Sequence, residues 1–471
     1  MPEPTNSEAF RDKVSTVDKE GKRIWIYPKK PAGPLTSARG VVSFLLLAFL
    51  FLAPFIRING QPLLLFDILE RRFVIFGLVF WPQDFYLFVL ATLALIVFIV
   101  LFTVVFGRVW CGWACPQTIF MEMVFRKIEY WIEGDARSQI ELNRAPWSTG
   151  KILKKTTKHA IFYGISFVIG NTFLAYLIGT DRLFKIITDP PSEHIAGLAI
   201  MLLFSGVFYG VFAFFREQVC TMVCPYGRLQ GVLLDPNSIV VAYDFKRGEP
   251  RGKLKRGVSQ QGLGDCVDCN QCVVVCPTGI DIRNGTQLEC INCTACIDAC
   301  NAVMKKVDRP TGLIRYTSYN AIQSGQRFRF TPRILGYTAV FILLFALSVA
   351  LLATRKPIDV TVLRTPGMMY QELDDGYLAN LYNLKIINKT FEDRTIDIRL
   401  RSPEGRIKLV GGKLEIQPNN ILQSAFFIEI PNDRIRLVRT PVFLEIYSQG
   451  EKLDELSTSF IGPDKYKGGR P

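Results

Sequence analysis

Histidine is nearly absent from this chain: its 471 residues contain two, His159 and His194. They flank different apolar stretches and fall at opposite membrane faces in the topology argued below, so they cannot hold one haem together. No C-x-x-C-H run offers covalent haem attachment, and a membrane cytochrome is therefore excluded. Each histidine reads first as an interfacial side chain, although His159 lies on the side from which it can approach the cysteine pairs. Cysteine is absent from 355–471. Charged side chains are missing from the central parts of five apolar stretches, near 40–58, 85–107, 159–179, 195–215 and 334–353. Each is close to the ~20 residues a bilayer core requires. No proton relay or ion path through the lipid is suggested. No cleavable signal peptide is expected, since about forty mostly polar residues precede the first stretch, which reads as a signal anchor.

Twelve cysteines are present, and eight form two copies of one spacing. The first is Cys266-x2-Cys269-x2-Cys272-x3-Cys276-Pro277, the second Cys290-x2-Cys293-x2-Cys296-x3-Cys300. This is the ligand run of a two-cluster bacterial ferredoxin, in which the fourth cysteine of each run serves the other cluster. One 4Fe-4S cluster is therefore assigned to Cys266, Cys269, Cys272 and Cys300, and the other to Cys290, Cys293, Cys296 and Cys276. Zinc, the competing reading, uses pairs of the C-x2-4-C type and not three cysteines at successive x2 steps. Asn301 stands where the first run has Pro277, so a different local turn is expected after Cys300.

The length suggests about three domains. Hydrophobic residues make up 49% of the chain, and the mean hydropathy is positive, as in a membrane protein. Lys and Arg number 8 in 1–39, 9 in 108–158 and 16 in 216–333, but only 2 each in 59–84 and 180–194. The positive-inside rule places the first three segments in the cytoplasm and the residues after the fifth span outside. The net charge of +14 thus largely reflects topology. Nucleic-acid binding is the weaker reading, because the basic residues flank spans instead of lining one face. All twelve cysteines then fall on the cytoplasmic side, where thiols stay reduced.

Segment 59–84 is too charged to span and is expected at the outer interface as a helix or hairpin, with a quinol site there as a weaker option. From 355 onward, β-branched and polar residues alternate, as in Thr395-Ile396-Asp397-Ile398 and Val442-Phe443-Leu444-Glu445-Ile446. Turn residues such as Pro403-Glu404-Gly405 separate the runs. Short strands at regular spacing predict an immunoglobulin-type sandwich, read as a docking or scaffolding domain. The expected architecture is an α-helical integral membrane protein with five transmembrane helices. It has a basic N-terminal segment (1–39), a four-span domain (40–235), an inserted α+β two-cluster ferredoxin domain (236–333), a fifth span (334–353) and an all-β immunoglobulin-like sandwich (354–471).

The other four cysteines form Cys111-Gly-Trp-Ala-Cys115-Pro116 and Cys220-Thr-Met-Val-Cys224-Pro225. Each follows the cytoplasmic end of a span and reads as an internal repeat. Spacing of four places two thiols on one helical face. Alternatively the prolines open new helices, whose free N–H groups would lower the thiol pKa. If the two hairpins are related by pseudo-twofold symmetry, all four sulfurs converge. Soft thiolates select Cu(I), zinc or iron–sulfur, so a copper site, a redox dithiol, a third cluster and a purely structural role all stay open. Met121, Met123 and Met222 add soft sulfur nearby, though methionine at such places more often packs.

Cys111-Gly-Trp-Ala-Cys115-Pro116-Gln117, Arg216-Glu217-Gln218-Val219-Cys220 with Cys224-Pro225-Tyr226, Gly248-Glu249-Pro250-Arg251-Gly252 and the run from Gly264 to Asp281 closely resemble the CcoG/FixG/RdxA family. So do Trp81-Pro82-Gln83-Asp84 and Gly312-Leu313-Ile314-Arg315-Tyr316. The resemblance covers essentially the whole chain. It implies an accessory protein for cbb(3)-type cytochrome c oxidase assembly in the bacterial inner membrane, reducing Cu(II) to Cu(I) at Cys111, Cys115, Cys220 and Cys224. The implied partners are copper ions, oxidase assembly factors, a copper-transporting ATPase and the lipid bilayer. Nucleic acid is not expected, the electron donor is unassigned and a homodimer is an open option. Two other readings are a quinol-linked carrier like the NapH proteins, which typically lack the outer β domain, and a redox-sensing scaffold.

Overall fold

In a computed structural model the described residues are 16–18, 20, 22–253, 262–325, 330–435 and 437–463. Part of the basic segment 1–39 thus lies outside them. Five helices are long and apolar enough to cross a membrane: Pro34–Leu52, Pro82–Phe106, Thr149–Ile178, Ile195–Phe215 and Pro332–Ala353. They follow the five apolar stretches with two shifts: the first span lies six residues earlier than its stretch at both ends, and the third begins well before its own. The third span starts ten residues before its apolar stretch because its lysines are satisfied. Ser148 caps it by accepting from the Lys151 N–H. Lys151 Nζ donates to the Asn143 and Ala145 carbonyls at 3.0 and 2.6 Å. Lys155 and Lys158 pair with Glu133 at 2.9 and 3.0 Å. Gly179 ends the helix at φ +82°, a conformation that costs glycine little.

The chain divides into two compact units. The first contains the helices and the cysteine-rich segment. Within it, Val240–Tyr243 pairs antiparallel with Ile314–Thr317, so the motif around Ile314 forms a strand. Helix Ala295–Lys306 packs on this ribbon through Ile297 and Met304, against Val241, Leu313 and Ile314.

The second unit takes Ile58–Gln61, Arg72–Asp84 and the residues from Val349 onward. Its strands after the fifth span are β1 (Ile358–Arg364), β2 (Gln371–Glu372), β3 (Tyr377–Asn388), β4 (Arg394–Ser402), β5 (Arg406–Val410), β6 (Leu414–Ile416), β7 (Ile421–Pro431), β8 (Arg439–Ser448) and β9 (Glu451–Ile461). They form two antiparallel sheets, ordered β5-β7-β3-β1, with β2 on β3, and β6-β4-β8-β9. The alternating pattern puts Ile386, Ile398, Phe426, Ile428, Leu444 and Ile446 in one buried core, the arrangement of a sandwich. Segment 59–84 forms strands, with Arg72–Ile75 and Leu78–Phe80 paired as a hairpin. Asp84, just past it, is buried and ion-paired to Arg355 and Lys389, both at 2.6 Å, and Lys389 also meets Asp359. The C-terminal domain therefore does contain a buried charge cluster, assembled from segments some 300 residues apart.

Candidate functional site: three cysteine sets around one junction

Each ferredoxin run folds through the same backbone device. The residues on either side of its second cysteine are left-handed: Asp268 and Asn270 around Cys269, Asn292 and Thr294 around Cys293. Three of these four are Asp or Asn, which tolerate that region best among non-glycine residues. The paired reversals wrap the loop around its thiols. Two apolar cavities result. One is lined by Cys266, Cys269, Cys272 and Cys300 with Tyr243 and Leu313. The other is lined by Cys276, Cys290, Cys293 and Cys296 with Ile280 and Ile291, and Cys272 borders it as well. Four thiols around an enclosed apolar space are the donor set a cubic cluster requires, so these residues fit that group. Burial above all, with the neighbouring thiols, pushes Cys272, Cys290 and Cys300 up to about 12 and Cys293 to about 11. They hold their protons until a metal displaces them. Asn301 replaces proline for a visible reason. The helix runs on to Lys306, which proline would break, and the Asn301 side chain accepts from the Gly312 N–H at 2.9 Å.

The Cys-x3-Cys-Pro motifs also meet. Cys115 caps a short helix beginning at Pro116, and Cys224 caps Pro225–Leu233, so the prolines open new helices. The four sulfurs share one neighbourhood, in which Cys115, Cys111 and Cys224 each raise the pKa of Cys220, but no three of them lie within 4.8 Å of one another. Gln230, fully buried, places its side-chain amide 3.3–3.4 Å from Cys111 Sγ. A Cβ at Gly227 would lie 2.5 Å from the Cys220 carbonyl oxygen, so the second motif folds back on itself as only glycine permits. The lowered thiol pKa expected from helix N-termini is not found at Cys111 and Cys220. Burial pushes them up to about 11 and about 12.

The membrane-side set and the second ferredoxin run share a wall. A Cβ at Gly112 would lie 2.4 Å from the Ile291 carbonyl oxygen and 2.8 Å from that of Asn292. Trp113 Nε1 donates to Tyr316 Oη at 2.9 Å, and Tyr316 Oη donates to the Asn292 carbonyl at 3.1 Å. Arg39 Nε donates to the Gly112 carbonyl at 2.6 Å. Arg108 reaches the Leu288 and Gly227 carbonyls, which ties all three cysteine segments together.

Sequence reading missed the charge around this junction. Arg126, 2% exposed, pairs with Glu122 at 3.1 Å and Glu217 at 3.7 Å. Glu217 also pairs with Arg23 at 2.8 Å. Arg216, at φ +50°, pairs with Glu129, which Lys158 reaches at 3.5 Å. Burial pushes Glu129 up, but Arg216 and Lys158 outweigh it and hold its carboxyl below the usual range. The available signal was the cluster of Glu122, Arg126, Glu129 and Glu133 at i,i+3 and i,i+4 spacing. Three π-helical segments, Ile119–Phe125, Val211–Phe215 and Val219–Val223, surround the thiols, and such segments recur at functional sites. His159 is not drawn in: its Nδ1 lies 2.8 Å from Tyr209 Oη and its ring stacks on Phe214. Met121 packs among Phe120, Phe125 and Phe162.

Three family models match. Residues 215–319 match a 4Fe-4S dicluster domain, 88–135 a 4Fe-4S binding domain, and 348–463 the IG-like fold at the C-terminal of FixG. The nitrogen fixation protein FixG of Rhizobium meliloti is 34% identical over 88% of this chain and 88% of its own length. Proteins RdxA and RdxB of Cereibacter sphaeroides are 36% and 37% identical, each over 81% of this chain and 83% of its own length.

Proposed function

Because this chain belongs to the FixG family, an iron–sulfur family carrying 4Fe-4S domains and a C-terminal IG-like domain, we propose that it reduces Cu(II) to Cu(I) during assembly of a cbb(3)-type oxidase. The observation that carries this reading is that Cys111, Cys115, Cys220 and Cys224 share one neighbourhood, with Gly112 packed against the loop holding Cys290 and Cys293. Bound at their two cavities, 4Fe-4S clusters would supply electrons singly, as one-electron reduction of a cupric ion requires. Cys266, Cys269, Cys272 and Cys300 would ligate one, and Cys276, Cys290, Cys293 and Cys296 the other.

The rest is done by this chain's own residues. Thiols of this set take copper as substrate, and soft sulfur favours the Cu(I) product. Gln230 fixes the Cys111 sulfur. Arg39, Arg108, Trp113 and Tyr316 hold the copper-binding turn against Asn292. Metal entry displaces thiol protons, so no separate general base is required.

The cysteine segments face the cytoplasm in this reading, supported by the Lys/Arg asymmetry. The ion pair of Asp84 with Lys389 agrees, since it keeps the first interspan loop and the C-terminal domain on one side, here the periplasmic one. Oxidase assembly factors and a copper-transporting ATPase are the partners this role requires.

The test is anaerobic. Dithionite-reduced protein mixed with Cu(II) should yield Cu(I) trapped by a chelator, and Cys111→Ala and Cys220→Ala should each fall to background. Wild-type yields in both variants would sink the copper assignment. A second reading is a third cluster at these cysteines, favoured by the match of 88–135 to a 4Fe-4S binding domain. Metal analysis separates the two. Iron near eight per chain, as two four-iron clusters give, that stays unchanged in the quadruple cysteine variant supports copper, whereas iron near twelve supports the cluster.

A further inference from the structure

Between the third and fourth spans lies a cleft of about 660 Å³ that no part of the copper chemistry uses. Its walls are apolar and aromatic, with Phe167, Phe173, Leu174, Met201 and Phe204 among them. Its polar groups are concentrated at one end. Asp189, Glu193 and His194 all line it there, and their ligand atoms lie within 4.8 Å of one another. His194 Nε2 is 3.1 Å from Asp189 Oδ2. Asp189-Pro190-Pro191 builds the turn, and the two prolines restrict its backbone. Among the described lining residues there is no Lys or Arg, and Asn171 is the only other polar side chain.

A large apolar pocket with a few convergent polar groups is the usual form of a small-molecule site. The chemistry of the polar end selects the occupant. Two carboxylates and an imidazole accept hydrogen bonds from a neutral hydroxyl, whereas a phospholipid phosphate would meet two like charges. The apolar body, at a depth where the surrounding helices are lipid-facing in length and composition, suits an aromatic ring carrying a long hydrocarbon tail. We propose that this cleft binds a membrane isoprenoid quinol. Its ring lies between the third and fourth spans, and one hydroxyl donates to the Asp189–His194 pair. The floor residue Phe204 continues into Phe208 and Phe212, with centroids 6.4 and 4.7 Å apart, so the ring would rest on a packed aromatic column.

The experiment is equilibrium binding of decylubiquinol to the full chain in detergent, without oxygen, with phosphatidylglycerol as competitor. Gly197 lines the cleft, and a Cβ there meets nothing within 4 Å, so Gly197→Phe fills cleft space without a built-in clash. Saturable 1:1 binding is expected, lost in Gly197→Phe and weakened roughly tenfold in His194→Ala, the range for losing a hydrogen bond to a charged pair. The His194 side chain is 35% exposed and its loss removes little packing, so that variant keeps the test decisive if Gly197→Phe does not fold. Binding unchanged in His194→Ala, or displaced by equimolar phosphatidylglycerol, would overturn the proposal. So would tight Zn²⁺ binding that needs His194 and ignores decylubiquinol, which would make the trio a cation site instead.

Discussion

The ferredoxin cavities and the membrane-side cysteine set both gather four thiols, but they do so by opposite routes. In the ferredoxin domain, each run supplies three thiols from seven consecutive residues, and paired left-handed residues turn the loop inward. One thiol then crosses from the other run. In the membrane-side set, each motif supplies two thiols, and the halves are more than a hundred residues apart. Helix packing, Arg108 reaching the Gly227 carbonyl and the ion pairs of Arg126 with Glu217 and Arg216 with Glu129 bring them together. A local loop can be specific by spacing alone. A site split across two helical hairpins depends on everything that holds the hairpins.

Four substitutions sharpen this contrast. Cys290→Ala should have the largest effect, cutting iron from about eight per chain to about four, by metal analysis, because one cavity loses a ligand that nothing replaces. Retention of both clusters would show that the cavity assignment is wrong. Lys389→Met should destabilise the C-terminal domain by about 1.5–3 kcal/mol, since Asp359 loses its cation and Asp84 keeps only Arg355. Hydrogen exchange of the strands reads this, with iron content unchanged.

Gly112→Ala should cost about 1–3 kcal/mol, because the new methyl meets two carbonyl oxygens and the turn must move. Copper reduction should slow while iron stays constant. An unchanged rate would separate the Cys111–Cys115 turn from the second ferredoxin run. Tyr316→Phe is the smallest, about 1 kcal/mol for the hydrogen bonds to Trp113 and Asn292, read in thermal stability.

The buried charges were the least legible part. Arg126 and Glu217 look like ordinary surface residues in one dimension, and their burial is decided by which helices pack over them. The Asp84–Lys389 pair is likewise invisible to local pattern, because its partners are 305 residues apart. The third span began earlier than hydropathy indicated, because Glu133 and two backbone carbonyls neutralise its lysines.

By itself the sequence determined the five apolar helices, the doubled ferredoxin run and the alternating strands of the C-terminal sandwich. Each of these is written in short-range periodicity or spacing, where side-chain chemistry acts directly on local backbone. Tertiary structure alone decided that the four remaining cysteines form one set, that Gly112 lies against the second ferredoxin loop, and that Asp189, Glu193 and His194 close an apolar cleft. Those outcomes depend on how helices pack, and packing is settled by many weak contacts between residues far apart in the chain.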